Sequence, residues 1–175
     1  MATRTALLLK AVNVGGKNKL PMAQLRAELA DGLGWGEVQT YLQSGNVVAT
    51  VPARTDAAGA LHDAIAARFG LDIEVFALSG KQIADVVADN PFPGKVDEPK
   101  LLHVAFLQAA PSTEVFAKLG LAHDGDVLAL GRRHIYLNYR DNSRDSPLAK
   151  VMRNVKVSFT ARNWTTVAKM AELTG

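Results

Sequence analysis

At 175 residues, with 48% hydrophobic and 21% charged side chains, the chain has ordinary globular composition and room for one large domain or two small packed ones, which excludes wholesale disorder. It contains no cysteine, which excludes disulfides and thiolate chemistry, and its four histidines, His62, His103, His123 and His134, are dispersed, so no metal centre and no cofactor are expected. No apolar stretch approaches the roughly 18 residues of a membrane span and no signal-peptide core is seen, so a cytoplasmic protein without membrane association is expected, and a net charge of +3 favours anionic partners only weakly.

In chain order, Ala6 to Val12 is a short β-type run. Pro21 then opens a helical pattern, Met22, Leu25, Leu29 and Leu33, which runs into the Gly32-Leu33-Gly34 breaker. Val38 to Gln43 alternates, Ser44-Gly45-Asn46 has turn chemistry, and Val47 to Val51 continues apolar, which predicts a hairpin. Asp56 is placed to cap a helix carrying Leu61, Ile65 and Phe69 that Gly70 stops, and Ile73 to Leu78 reads as a strand. The order is βαββαβ. Ser79 and Gln82 have capping-box spacing for a further helix with Ile83, Val86 and Val87, ending at Asn90-Pro91.

Pro91, Pro93, Gly94 and Pro99 then cluster, predicting a linker at 91–99 between a first subdomain, 1–90, and a second, 100–175. In the second, Leu101 to Leu107 is a strand, and Val115, Phe116 and Leu119 mark a helix closed by Gly120. Val127 to Leu130 and His134 to Tyr139 form a hairpin around Gly131-Arg132-Arg133, and Ser146-Pro147 opens a helix with Leu148, Val151 and Met152. After a short β-like stretch, Val157 to Thr160, the last helix carries Val167, Met170, Ala171 and Leu173. The fold class expected is α+β: two ferredoxin-like βαββαβ-type subdomains with antiparallel sheets, the second incomplete and ending in a C-terminal helix.

That topology, with strand order 4-1-3-2, sends strands 1 and 2 toward the same edge. The loop Asn13 to Lys19 is therefore expected beside Gln43-Ser44-Gly45-Asn46. Loop amides next to a helix start concentrate positive partial charge, and glycines let a ligand approach the backbone. Lys17 and Lys19 add full charges, and Asn13, Asn18, Gln43, Ser44 and Asn46 add directional hydrogen bonds. Together with Gly15 and Gly16 these are the candidate ligand-binding residues. The spacing is not that of a phosphate loop of the GxxxxGK[ST] kind, because Asn18 follows Lys17. The competing reading is a Gly-Gly turn with two solvated lysines.

Arg162-Asn163-Trp164 precedes the last helix, which Asn163 can cap; Trp164 reads as a core anchor. Arg162 reads either as a rim charge or, where the two halves face each other, as the group that completes an anion pocket with Lys17 or Lys150. Arg162 and Asn163 join the candidate ligand-binding set.

The stretches LLLKAVNVGGKNKLPMAQLRAEL, TYLQSGNVVAT, NPFP, HVAFL, IYLNY and TARNWTTVAKMAEL resemble, in order along nearly the whole chain, the bacterial family known as domain of unknown function 1697 (DUF1697). The resemblance implies two similar α+β subdomains and brings no activity with it. Family-like residues are Asn13, Gly15, Gly16, Lys17, Asn18, Gln43, Ser44, Gly45, Asn46, Arg162, Asn163 and Trp164. The chain departs where Lys10-Ala11 replaces an Arg-Gly pair, and where Asp141 to Pro147 replaces a glycine-rich segment followed by Ser-Lys.

The expected function is binding of a phosphate-containing or other anionic small molecule at the loop after strand 1. An enzyme, a hydrolase or transferase holding a phosphorylated substrate there, is the first alternative. Acylphosphatases cradle phosphate at the same place in a ferredoxin-like fold, yet this loop lacks their arginine, and no paired carboxylates or Ser-His-Asp set stands out as catalytic. Nucleic-acid binding is the second alternative. The central strands of the first subdomain have no aromatics for stacking bases, whereas His134 and Tyr136, on a strand neighbouring His103, leave a small aromatic surface in the second.

Overall fold

The structure, a computed structural model, describes residues 1–113, 117, 119 and 122–175. They group into two compact units, Met1–Asp85 with Lys169–Gly175, and Val86–Ala168. The closing turns of the last helix thus sort with the first unit, where Arg4 Nε donates to Leu173 O at 3.2 Å. The proline-rich 91–99 stretch, expected as a linker, contains the 3-10 turn Pro93–Lys95.

The first unit runs β1 (Thr3–Leu9), α1 (Met22–Ala27), β2 (Gly36–Tyr41), β3 (Asn46–Val51), α2 (Ala57–Phe69) and β4 (Val75–Ser79), its four strands ordered β2-β3-β1-β4 and all antiparallel. Strand alternation sends Leu7, Leu9, Val47, Ala49 and Val51 into one core with Leu25, Leu29, Leu61 and Ile65 from the helical segments. Each fully buried leucine contributes roughly 1.5–3 kcal/mol to that core. The expected first helix holds for only six residues before widening into a π-type turn, Glu28–Gly32. Asp56 caps α2 by accepting from Gly59 N at 3.1 Å, and Gly70 ends it in a left-handed conformation. The capping box forms as its spacing predicts: Ser79 N donates to Gln82 Oε1 at 2.8 Å, and Gln82 N to Ser79 Oγ at 3.2 Å. It opens α3 (Gly80–Ala88).

The second unit contains β5 (Leu102–Leu107), β6 (Ala122–His123), β7 (Asp126–Leu130), β8 (His134–Asn138), α4 (Pro147–Met152) and β9 (Phe159–Asn163), ordered β6-β7-β8-β5-β9. Of the helix expected at Val115, Phe116 and Leu119 and closed by Gly120, Val115, Phe116 and Gly120 lie outside the described residues. Apart from the two-residue β6, the strand order repeats that of the first unit, and the fourth strand expected to be missing is present as β9. Thr160, Ala161 and Arg162 pair with Phe106, Ala105 and Val104. A charged residue in the middle of that segment hid a strand whose arginine is in fact buried. Asn163 caps α5 (Trp164–Thr174), accepting from Thr166 N at 3.0 Å, and Trp164 is buried.

Candidate functional site

After β1 the chain does not form an open cradle. Val14 and Lys17 bridge across a two-residue turn, Lys17 N donating to Val14 O at 3.0 Å, with φ of 57° at Gly15 and 76° at Gly16. Two consecutive left-handed residues are what a tight hairpin turn of the I′ kind requires, and glycine adopts them without steric cost. The base of this small hairpin is tied by its own asparagines. The Asn13 side-chain amide donates to Leu20 O at 3.0 Å and Gln43 O at 2.7 Å, and its Oδ1 accepts from Leu20 N at 2.8 Å. Asn18 Nδ2 donates to Ala11 O at 2.9 Å.

The Asn13 to Gln43 bond confirms the adjacency expected from topology: the loop after β1 and the β2-β3 turn share an edge. Leu9 N donates to Gly45 O at 2.8 Å as a second link. Gly45 is required there, since its φ is 86° and an added Cβ would stand 2.5 Å from Val12 Cγ2. Asn46 is wholly buried and donates to Tyr41 O at 2.8 Å and Ser44 Oγ at 3.0 Å.

The predicted residues therefore divide by role. Asn13, Asn18 and Asn46 shape the edge, while Gly15, Gly16, Lys17, Lys19, Gln43 and Ser44 form its exposed surface. Among the described residues, neither Lys17 nor Lys19 has a carboxylate partner, and the space beside Gly15 and Gly16 is open for 4 Å. Ala11 and Leu42, at φ of 55° and 60°, hold left-handed conformations at the same edge. Each carries strain of roughly 1–2 kcal/mol, because a side chain at Cβ crowds the backbone there.

Arg162 and Asn163 belong to the second unit. Arg162 is buried rather than a rim charge, its guanidinium donating to Thr160 Oγ1 at 2.8 Å and Ala161 O at 2.9 Å, and burial pushes it down to about 10. Of the small aromatic surface expected around His103, His134 and Tyr136, the last two share a face of β8 with ring centroids 4.9 Å apart, and His103 lies on the other face. His103 pairs with Leu137, whereas Tyr136 opposes Val104, so register sends them to opposite sides of the sheet. Tyr136 is buried and its hydroxyl donates to Val86 O at 2.7 Å.

A concavity of about 490 Å³ opens in the second unit and is lined by His103, Asn163, Lys100, Leu101 and the loop Asp141 to Asp145. Sequence reasoning missed it because strand pairing, not chain spacing, assembles its wall. The available signal was parity: His103 falls on the same strand face as Ala105 and Leu107, at the edge of the core they enter. Among the described residues, no group of three or more His, Cys, Asp or Glu side chains is arranged to hold a metal ion. No helix among them is long and apolar enough to cross a membrane.

The molecule is thus an α+β protein of two ferredoxin-like units, with an asparagine-tied hairpin at one sheet edge. It belongs to the family described as "Protein of unknown function (DUF1697)", whose model matches residues 1–136. A similar solved structure is that of the conserved bacterial protein SP0830 from Streptococcus pneumoniae, 27% identical over 100% of both chains with a TM-score of 0.78. No curated protein matches the chain significantly.

Proposed function

We propose that this is a cytosolic protein that binds a phosphate-bearing or other anionic small molecule at the outer face of the Val14 to Lys19 hairpin. Lys17 is its main charged partner, and Lys19, Ser44 and the backbone of Gly15 and Gly16 complete the contact. The observation that carries this reading is that two lysines with no carboxylate partner among the described residues stand on a turn whose shape is already held by Asn13, Asn18 and Gly45. A site held in shape beforehand loses little ordering entropy when the ligand arrives. The short α1 adds little dipole, so the lysines supply most of the attraction.

Lys17→Ala is expected to weaken anion binding by roughly 1–3 kcal/mol, the range for hydrogen bonds to charged groups, without changing thermal stability. Affinity should also fall as salt rises. Calorimetric titration of phosphate, sulfate and mononucleotides into both proteins at two ionic strengths tests this. Equal binding by both, or binding by neither, would leave the hairpin as a structural turn.

A further inference from the structure

The cavity of the second unit has walls from three separate stretches of chain: Lys100, Leu101 and His103 at the start of β5, Asp141 to Asp145 after β8, and Asn163 at the end of β9. Its parts are fixed from within the protein. His103 and Asn163 are register partners in the sheet. The loop is pinned at both ends by the buried Asp126, which accepts from Arg140 N at 2.8 Å and Leu148 N at 3.3 Å. Inside the loop, Asn142 Oδ1 accepts from the N–H groups of Arg144 at 3.0 Å and Asp145 at 2.9 Å. The volume falls within the range of small-molecule sites.

The charges around this cavity do not cancel one another. Asp141 is taken by Arg140, Nε to Oδ2 at 2.8 Å. Among the described residues, Lys100 and Arg144 have no carboxylate within ion-pair distance, and Asp145 has no cation. A ligand of a single sign is drawn by one set and repelled by the other, whereas a ligand carrying both signs satisfies both. His103 lines the wall beside these charges, and its Nδ1 is buried with no hydrogen-bond partner among the described residues. Burial holds the ring neutral by pushing it down to about 4.

We propose that this cavity binds a small amphoteric molecule bearing an ammonium and a carboxylate, as free α-amino acids and short peptides do. Lys100 and Arg144 take the carboxylate, Asp145 takes the ammonium, and His103 takes a hydrogen bond in the interior. The site shares no residue with the hairpin of the first unit and stands or falls separately from it.

The test is a titration of isotope-labelled full-length protein with glycine, glutamate and diglycine up to about 10 mM, following the His103 ring and Asn163 amide signals by NMR. N-acetylglycine, glycinamide and inorganic phosphate serve as single-sign controls. At least one amphoteric probe should shift both signals saturably, with each single-sign control binding at least about tenfold more weakly. Arg144→Gln and Asp145→Asn, both at exposed positions, should each weaken that probe about tenfold, and Lys17→Ala should leave it unchanged. Absence of saturable shifts with every amphoteric probe would overturn the proposal. So would a single-sign control that binds as tightly, or variants that bind like the wild type.

Discussion

The hairpin between Asn13 and Leu20 and the loop between Arg140 and Leu148 are each closed by one side chain reaching across the base, and the two side chains work by different chemistry. Asn13 is neutral and both gives and receives, so it joins an amide and a carbonyl of Leu20 and extends to Gln43 O on a different turn. Asp126 only receives, so it can gather N–H groups and nothing else, and it ties the two ends of a single loop. Here the amide fastens two turns together, and the carboxylate fastens both ends of one loop to β7. The first arrangement leaves a protruding surface beside the β2-β3 turn, and the second leaves a concavity beside a strand.

The largest effect that would break this contrast is expected from Asp126→Ala. It orphans two amides that had charge-assisted partners, at a cost on the order of 4 kcal/mol. Chemical denaturation should show that loss, and hydrogen exchange should show Arg140 and Leu148 deprotected while residues 13 to 20 stay protected. Preserved protection at Arg140 and Leu148 would mean that the loop is held by other contacts.

Next comes the acid response of the second region. The folded-state His103 lies at about 4, against 6.5 for the unexposed-to-perturbation reference, so below 6.5 the unfolded chain takes up a proton that the folded chain refuses. Stability contributed above pH 6.5 is therefore lost progressively as pH falls toward about 4, and the full difference amounts to roughly 3 kcal/mol. Urea unfolding of wild type and His103→Gln across that window should converge by this amount on acidification. Parallel curves would show that His103 is solvated.

Asn13→Ala should cost about 2 kcal/mol, less than the carboxylate case because its partners lie nearer solvent. Its signature is loosening of both the hairpin and the Gln43 turn in hydrogen exchange; loosening of only one would remove the idea that Asn13 couples them. Smallest of all is Gly16→Ala, about 1 kcal/mol of left-handed strain with no clash, since the space beside Gly16 is open. A thermal melt decides it, and a loss as large as that of Asn13→Ala would show that the turn is packed.

Most of the fold was legible in the sequence because its signals are local. Apolar alternation marked the strands, and Asp56, Gly70, Ser79, Gln82 and Asn163 announced their caps by chemistry that acts over three or four residues. β9 was harder, because its buried Arg162 reads as solvent-facing in any pattern of apolar residues. At the hairpin, spacing and topology brought the correct turns together, while the division of the asparagines into scaffolding and the lysines into surface depended on bonds between main-chain atoms that no residue pattern displays. The cavity around His103 depended on which residue of β5 faces which residue of β9, and a one-residue change of register would have sent His103 to the other side.

The bond from Arg4 to Leu173 spans 169 positions of chain, and Lys169–Gly175 completes the unit that Met1 begins. During synthesis, which delivers residues from the amino end onward, the first unit is the earlier to emerge and the later to acquire its full set of partners. The Val86–Ala168 unit has all its residues available before Leu173 exists. Domains that fold as they emerge normally finish in chain order; a released chain cut before Lys169 would carry every residue of the second unit and a first unit still missing its closing turns.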